Sequence, residues 1–589
     1  MKKFILILSI FAAATAFAGP VQKADALKFA GRALGSDSLE YVDLGSGLHA
    51  FNRPGGGWII LSSDDCSVPV LGHSDTGALS AGNLPSNMRA HLDRMTSDIA
   101  RLSSSGVAPA PAIRAMWSAA PSRVRKASAS VYLQTANWNQ QGYYNDTVQD
   151  KLGTSKNVCT GCVATAMAIV LQYNHWPEKG TGTIESYTSK ATRDDYGVNE
   201  TYTVPATDIS SYYYDWDNMP SELSSSSTQA QKDAVADLMF HCGSMVQMTY
   251  SSAGSGAYSE DIIPALAKYM SYSASARLVT RCNYSTYDWL EMLKSELDAG
   301  RPIIYGGSSE EDGGHQFVLD GYNSDNEAHV NWGWGGDANG WFAVNYLGDD
   351  SYVGYVFNYY DNAIISLAPD AEGADEANME LYLAGFYADY GEYGLNLESG
   401  TIARNGNFTI SAAVYNGDYY NTCNSAIKMA LCSRDGSVKE YISSEKTVEL
   451  EPEYGDSYSL SCKITADIAP GDYIGARYRL ADGSWAILGG LNIDWPESKY
   501  TYWTVSKISA TGISYIYLPE EMTAGQILYF EFVSDGRLVN SAPTWYYDGS
   551  QVSSSKLFKE LKSGEHTIKA VLKFTDGTSQ TLVRKFKVE

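Results

Sequence analysis

Three short stretches of this 589-residue chain hold residue types that together could cleave a covalent bond. The first runs from Gly161 and Cys162 into Val163-Ala164-Thr165-Ala166-Met167 and on to Leu171. Val163, Met167, Val170 and Leu171 recur at helical spacing, and Pro177 ends the run, so the pattern predicts a helix that begins at the cysteine. A thiol there lies beside unpaired backbone N–H groups and the positive end of the helix dipole. Both favour the thiolate, the form that attacks carbonyl carbon. A buried structural cysteine is the alternative. The second stretch is His315, which opens a predicted strand, 315–321, just after Gly313-Gly314. A glycine pair lets a second backbone come close, so a histidine placed there suits a general base better than a histidine in an ordinary core. The third is His329-Val330-Asn331-Trp332-Gly333-Trp334-Gly335-Gly336. An asparagine can orient an imidazole while a following indole keeps water away, which completes a Cys-His-Asn arrangement. Read alone, that stretch is a glycine-rich turn with core tryptophans.

These residues need a folded body, and the composition supplies one. Hydrophobic residues are 44% of the chain and charged residues 19%, a globular balance. The length calls for three to five domains. A net charge of −25 repels phosphate backbones and anionic membrane surfaces, so nucleic acid is excluded as a partner. No internal apolar run is long enough for a spanning helix, so no membrane span is expected. Lys2 and Lys3, the apolar run 4–14 and Ala16-Phe17-Ala18 read as a signal peptide, residues 1–18, with the mature chain starting at Gly19. Without a cysteine just after the apolar run, a lipid anchor is not expected.

The eight cysteines are too sparse for a disulfide framework. Cys159 and Cys162 have CxxC spacing but no second pair that would complete a zinc site; a redox pair stays open. The run Glu310-Glu311-Asp312 could hold Ca²⁺ or attract basic substrates, and a solvated loop is the plainer reading.

Charge divides the chain. Residues 20–126 carry eleven Lys/Arg and nine Asp/Glu, whereas everything after them has a net charge of −29. A near-neutral segment before an acidic body predicts separate folding units, either as unrelated domains or as a pro-segment docked on an acidic partner. Within the first unit the pattern reads helix (21–34), strands (48–51, 57–62, 68–71) and helix (87–102), a mixed α+β unit. Residues 103–130, rich in Ser, Ala and Pro, lack the apolar spacing to order themselves and offer Arg123, Arg125 and Lys126 to a protease. Beyond residue 370 short alternating strands follow one another, with a reset near Trp495-Pro496, which predicts two β-sandwich modules. Cys423, Cys432 and Cys462 could pair within the first of them.

Taken together, Gly161-Cys162-Val163-Ala164-Thr165-Ala166, Gly314-His315-x-Phe317-Val318-x-Asp320-Gly321 and the Asn331-Trp332 block resemble the signature blocks of the streptopain family, secreted bacterial papain-like cysteine peptidases that include the interpain group. Trp138-Asn139-Gln140, the stretch from Tyr173 to Pro177 and that from Asp288 to Pro302 extend the resemblance, which covers about residues 20–369. The resemblance implies an α+β inhibitory propeptide with activation linker (19–126) and an α+β papain-like peptidase (127–370); with the signal peptide (1–18) and the two all-β, Ig-like sandwich domains (371–500 and 501–589) read from the residue pattern, the chain is expected to be multidomain. The resemblance also implies Cys162 as nucleophile, His315 as general acid/base, Asn331 to orient the imidazole and Trp332 to shield that bond. The Gln140 amide and the Cys162 N–H would form the oxyanion hole, and Gly161, Gly314 and Ser255 would border the substrate cleft. The stretch from Gly56 to Asp65 and Val70-Leu71-Gly72 resemble the family's propeptide, which makes the chain a zymogen whose own pro-segment is its inhibitor and whose substrates are proteins or peptides. No metal or cofactor is called for. Two other readings stand beside this one: an exported thiol–disulfide oxidoreductase using Cys159 and Cys162, and a surface adhesin with a degenerate peptidase domain. The first leaves His315, Asn331 and Gln140 without a use and lacks a thioredoxin-like βαβ pattern. The second must explain an intact Cys162, His315 and Asn331.

Overall fold

The computed structural model describes residues 19–104, 111–118, 129–193, 198–273, 276–280, 286–309, 313–344, 361–370, 381–383, 394–416, 422–433, 437–452, 454–480, 483–489, 507–518, 528–529, 531–537, 543–552, 556–557, 562–574 and 576–588. The signal-peptide stretch, the acidic run 310–312 and the basic residues at 123–126 lie outside them.

The N-terminal unit is a helix, four strands and two helices: α1 (Lys23–Leu34), β1 (Glu40–Val42), β2 (His49–Asn52), β3 (Trp58–Leu61), β4 (Val70–Ser74), α2 (Ser86–Ser104) and α3 (Pro111–Ser118). All four residues of β3 are buried because both faces of this small sheet are covered. Ile59 and Leu61 pack on α1 through Ala26, Phe29 and Ala30. Trp58 and Ile60 face the other way, into a core with Met88, Leu92, Met95 and Ile99 of α2. The linker expected to stay unordered contains α3. Ile113 and Trp117, four apart, share one helix face, and the Trp117 Nε1–H donates to Ser67 O at 2.8 Å.

The central unit holds β5 (Ala129–Tyr132), α4 (Asp146–Leu152), α5 (Cys162–Asn174), β6 (Thr183–Ile184), β7 (Tyr187–Arg193), β8 (Val198–Val204), β9 (Thr207–Asp208), α6 (Gln229–Met245), α7 (Ile262–Met270), β10 (Arg277–Thr280), α8 (Thr286–Asp298), β11 (Ile303–Ser309), β12 (Gly313–Asn323), β13 (Glu327–Asn331), β14 (Gly340–Ala343) and β15 (Asn362–Ile365). Helices α5, α6 and α7 build one core with the inner side of β11 and β12, through Ile304 and Val318. Thr228 caps α6 in a reciprocal box with Gln231.

The first two units share one sheet. Strand β4 pairs with β14, Trp341 opposite His73 and Phe342 opposite Gly72, so one sheet runs from β1 to β10 across the boundary. The core under it mixes Trp58, Met88 and Leu92 with Phe317, Trp332 and Phe342. Net charge cannot report such a seam, because the seam is made of backbone pairs and apolar side chains. Where it closes, a Cβ on Gly72 would lie 2.6 Å from the Phe342 ring. Gly72→Ala is therefore expected to destabilise the chain by about 1–3 kcal/mol, read as a lower urea midpoint of its first unfolding transition.

Beyond residue 380 two antiparallel sheets enclose a core of Phe408, Ile410, Ile427, Met429, Leu460 and Ile474. Ile508 and Ala510 pack into that core, past the expected limit at residue 500. A smaller core of Ile516, Phe532, Trp545 and Ile568 follows. Cys423, Cys432 and Cys462 are free thiols, as are Cys66, Cys159, Cys162 and Cys242. Among the described residues no helix is long and apolar enough to cross a membrane, which says nothing of β-barrels.

Candidate active site

Cys162 is the first residue of α5, and its N-cap is Gly161 with φ +91°. Glycine is required there twice over. The left-handed backbone penalises a side chain, and a Cβ would lie 2.7 Å from Met248 Sδ and 3.2 Å from Ser255 O. The contact sets the backbone of Gly161 directly against that of Ser255. Ser255 Oγ donates to Cys159 O at 2.8 Å, and Ser251 N donates to Ser255 Oγ at 3.1 Å, which ties the loop 251–257 to the segment before the nucleophile.

The same loop is pinned from the far side by Glu200 on β8. Its carboxylate accepts from Lys156 Nζ (2.6 Å), Ser252 Oγ (2.6 Å), Ser252 N (2.9 Å) and the Tyr202 hydroxyl (3.0 Å). Burial opposes its charge, but the bonds from Lys156 and Ser252 outweigh burial and hold the carboxyl down at about 2. A depressed carboxyl stabilises the fold above its ordinary value near 4.5 and loses that stabilisation as pH falls toward about 2. Hydrogen exchange of 251–257, corrected for intrinsic rates, is expected to be well protected above pH 4.5 and progressively faster below it. Glu200→Gln should reproduce the loss at neutral pH.

The thiol itself differs from the expectation of an activated thiolate. Burial raises the Cys162 pKa above its ordinary value, and the nearby Cys159 sulfur adds to this; the N–H groups of Gln316, Val163 and Cys162 work the other way. The helix terminus acts as expected, but in this state desolvation outweighs it and the thiol is raised rather than lowered.

The Gln316 N–H that meets the thiol belongs to the residue after His315, so β12 is placed against the start of α5. His315 is half-buried and sits opposite Gly307 of β11, and Gly314 sits opposite Ser308. Directly opposed residues of an antiparallel pair share a face. A Cβ on Gly307 would point at Arg94 of α2, so His315 occupies the face covered by the N-terminal unit. Gln316 takes the opposite face, where its amide crosses Gly306 and donates to Ser259 Oγ and, at 3.3 Å, to Asn362 Oδ1.

Asn331 ends β13, opposite Val318. Its Nδ2 donates to Thr135 Oγ1 (3.0 Å) and Ala136 O (2.9 Å), and its Oδ1 accepts from Gly333 N (3.1 Å). Thr135 is held in turn by Asp320, which accepts its Oγ1–H at 2.7 Å and its N–H at 3.0 Å. The other Asp320 oxygen meets His329 Nδ1 at 2.6 Å. Sequence reasoning missed Thr135 and this use of Asp320. The available signal was a charge inside the apolar run from Phe317 to Gly321, which requires a partner. Trp332 is 1% exposed and packs on Phe317 (4.8 Å between ring centroids), Phe342 (5.1 Å) and His91 (5.7 Å). These rings place the expected shield in the core shared with α2.

Gln140 is 4% exposed, and its carbonyl accepts from Thr160 N at 3.1 Å, two residues before the nucleophile. Among the described residues its side-chain amide has no hydrogen-bond partner. From the N-terminal unit, Asn87 Nδ2 donates to Trp332 O at 2.7 Å and Gln316 O at 3.4 Å, a contact that local sequence does not announce.

The peptidase C10 family model matches residues 138–342. Streptopain of Streptococcus pyogenes is 28% identical over 374 residues, 59% of this chain and 89% of streptopain. The thiol protease/hemagglutinin PrtT of Porphyromonas gingivalis is 31% identical over 304 residues, 50% of this chain and 33% of PrtT. A fragment of Prevotella intermedia prointerpain A aligns at 32% identity with a TM-score of 0.43, covering 56% of this chain and 97% of the fragment.

Proposed function

Because the chain belongs to the peptidase C10 family, with that family's papain-like peptidase fold, and is a cysteine-type peptidase, we propose that it is a secreted endopeptidase made as a zymogen. The observation that carries the reading is the placement of Cys162 at the first position of α5 with the strand of His315 against it. In the working state His315 takes the proton of Cys162, and the thiolate attacks the carbonyl carbon of a peptide. The oxyanion accepts hydrogen bonds from the Gln140 amide and the Cys162 N–H. Imidazolium then gives its proton to the leaving amine, and water, with His315 again as base, clears the acyl-enzyme. Asn331, held by Thr135 and Asp320, orients the imidazole.

Residues 19–126 are the inhibitory propeptide in this reading. Support comes from α2, which covers the face that His315 occupies, and from a Cys162 thiol that burial raises. Both features suit a resting precursor that must lose a segment before the pair can form. Cleavage between residues 103 and 130 starts that change, and two Ig-like β-sandwich units serve as accessories outside the reaction.

The test is to purify residues 19–589 and follow intact mass over time. Shortening within 103–130, blocked by an epoxide thiol inhibitor, is expected, together with a rise in peptide hydrolysis. A chain that stays full length, and stays inactive after trypsin cuts the linker, would defeat the reading.

A further inference from the structure

Helix α2 presents Asn87, His91 and Arg94 toward the catalytic sheet, and Arg94 reaches furthest. Its Nη1 donates to Asp361 Oδ1 at 2.5 Å, and its Nη2 donates to His91 Nδ1 at 3.4 Å. A guanidinium can only donate, so His91 accepts as a neutral ring; burial, with Arg94 beside it, holds His91 down at about 3.

The surface that receives this guanidinium belongs to the peptidase. Asp361 immediately precedes β15, and its side chain is 2% exposed. Its second oxygen accepts from the Tyr305 hydroxyl at 2.9 Å. Gly307 of β11 sits opposite His315 on one side and beside Asp361, at the start of β15, on the other. A Cβ on that glycine would come within 2.0 Å of Arg94 Nη1 and 2.4 Å of Asp361 Oδ1. The missing side chain therefore makes a slot, with a carboxylate at one end and the strand of His315 at the other. Neighbouring strands are about 4.8 Å apart, so the slot is within a side chain's reach of the base.

When the propeptide leaves, the guanidinium goes and the slot stays. With its partner gone, the Asp361 carboxylate keeps the Tyr305 hydroxyl and faces the vacated slot, where a replacement cation would form a charge-assisted hydrogen bond. We propose that the slot is a guanidinium-binding subsite of the processed enzyme, in which a basic side chain of the substrate, arginine before lysine, takes the place of Arg94. Arginine is favoured because a planar fork fits the bed that Arg94 fills, whereas an ammonium is a compact, strongly hydrated point charge. The proposal rests on the zymogen reading, since only a processed chain vacates the slot.

The experiment uses residues 19–589 after processing, with the loss of the propeptide confirmed by intact mass. A single arginine is moved through the positions on both sides of the scissile bond of a peptide, and each peptide is matched by a citrulline and a lysine version. At one position kcat/KM is expected to favour arginine over citrulline by about 10- to 100-fold, with lysine between, the range of a charge-assisted hydrogen bond. In Asp361→Asn the arginine-to-citrulline ratio should fall close to one. The wild-type ratios test the idea even if that variant misfolds. Equal cleavage of arginine and citrulline peptides at every position overturns the proposal. So does an Asp361→Asn enzyme that slows on all peptides alike with the ratio intact, because the carboxylate would then serve the fold or His315. A chain that never shortens removes the premise and the proposal together, and intact mass separates that result from the others.

Discussion

Cys162→Ala is expected to leave a folded chain that hydrolyses peptides at least about 10⁴-fold more slowly than the wild type and does not shorten on standing. Removing the nucleophile of a covalent mechanism deletes the path itself, and in a serine enzyme the comparable loss is about 10⁶ in kcat. The substitution removes one sulfur at the rim of the cleft, next to a glycine cap that stays in place, so thermal unfolding should change little. Cys159→Ser supplies the contrast. A thiol–disulfide oxidoreductase needs both cysteines, whereas the peptidase mechanism needs only Cys162, so this variant should keep peptide hydrolysis within about tenfold. A wild type that hydrolyses no peptide but catalyses thiol–disulfide exchange, with that exchange lost in both variants, would favour the redox reading.

Gln140→Ala is expected to lower kcat by about 10²- to 10³-fold with KM nearly unchanged, the range found for one oxyanion-hole donor. Two observations support so large an effect. The Gln140 carbonyl is tied to Thr160 N at 3.1 Å, which fixes the residue relative to the nucleophile. The side-chain amide has no partner among the described residues, so no existing bond has to break for it to donate to a developing oxyanion. Such a donor acts mainly where negative charge appears, and for that reason kcat should fall rather than KM rise. Restoring an amide at this place with Gln140→Asn should recover little, since the shorter side chain stops short of the oxygen. A loss below tenfold in Gln140→Ala would remove Gln140 from the oxyanion hole.

How much was readable in advance depends on the range of the interaction concerned. The helix of Cys162 was legible because its apolar spacing is local and Pro177 ends the run; the structure has α5 over Cys162–Asn174. Helices α1 and α2 and the strand of His315 were legible for the same reason. Helix α3 was missed because Ser, Ala and Pro around it mask a two-residue apolar face that only a neighbouring sheet makes worth ordering. The limit of the first β unit was drawn too early, since Ile508 and Ala510 belong to its core by packing and not by proximity in sequence. In the site, Cys162, His315 and Asn331 were singled out by residue type and spacing, and Gln140 only by the family resemblance. The partners of Asn331, the pinning of the cleft loop by Glu200 and the Arg94–Asp361 pair did not.

By itself, then, the amino-acid order determined the local elements, the residue types that can do chemistry and the resemblance that groups them, all of which depend on spacings of a few residues. Tertiary structure alone decided which of those groups meet and in what charge state. Asn87 finds Trp332 across 245 residues, and β4 finds β14 through backbone bonds that any sequence could make. The thiol of Cys162 is raised, despite its place at a helix terminus, because burial is set by neighbours from distant segments. Desolvation there outweighs the dipole that the local pattern foretells.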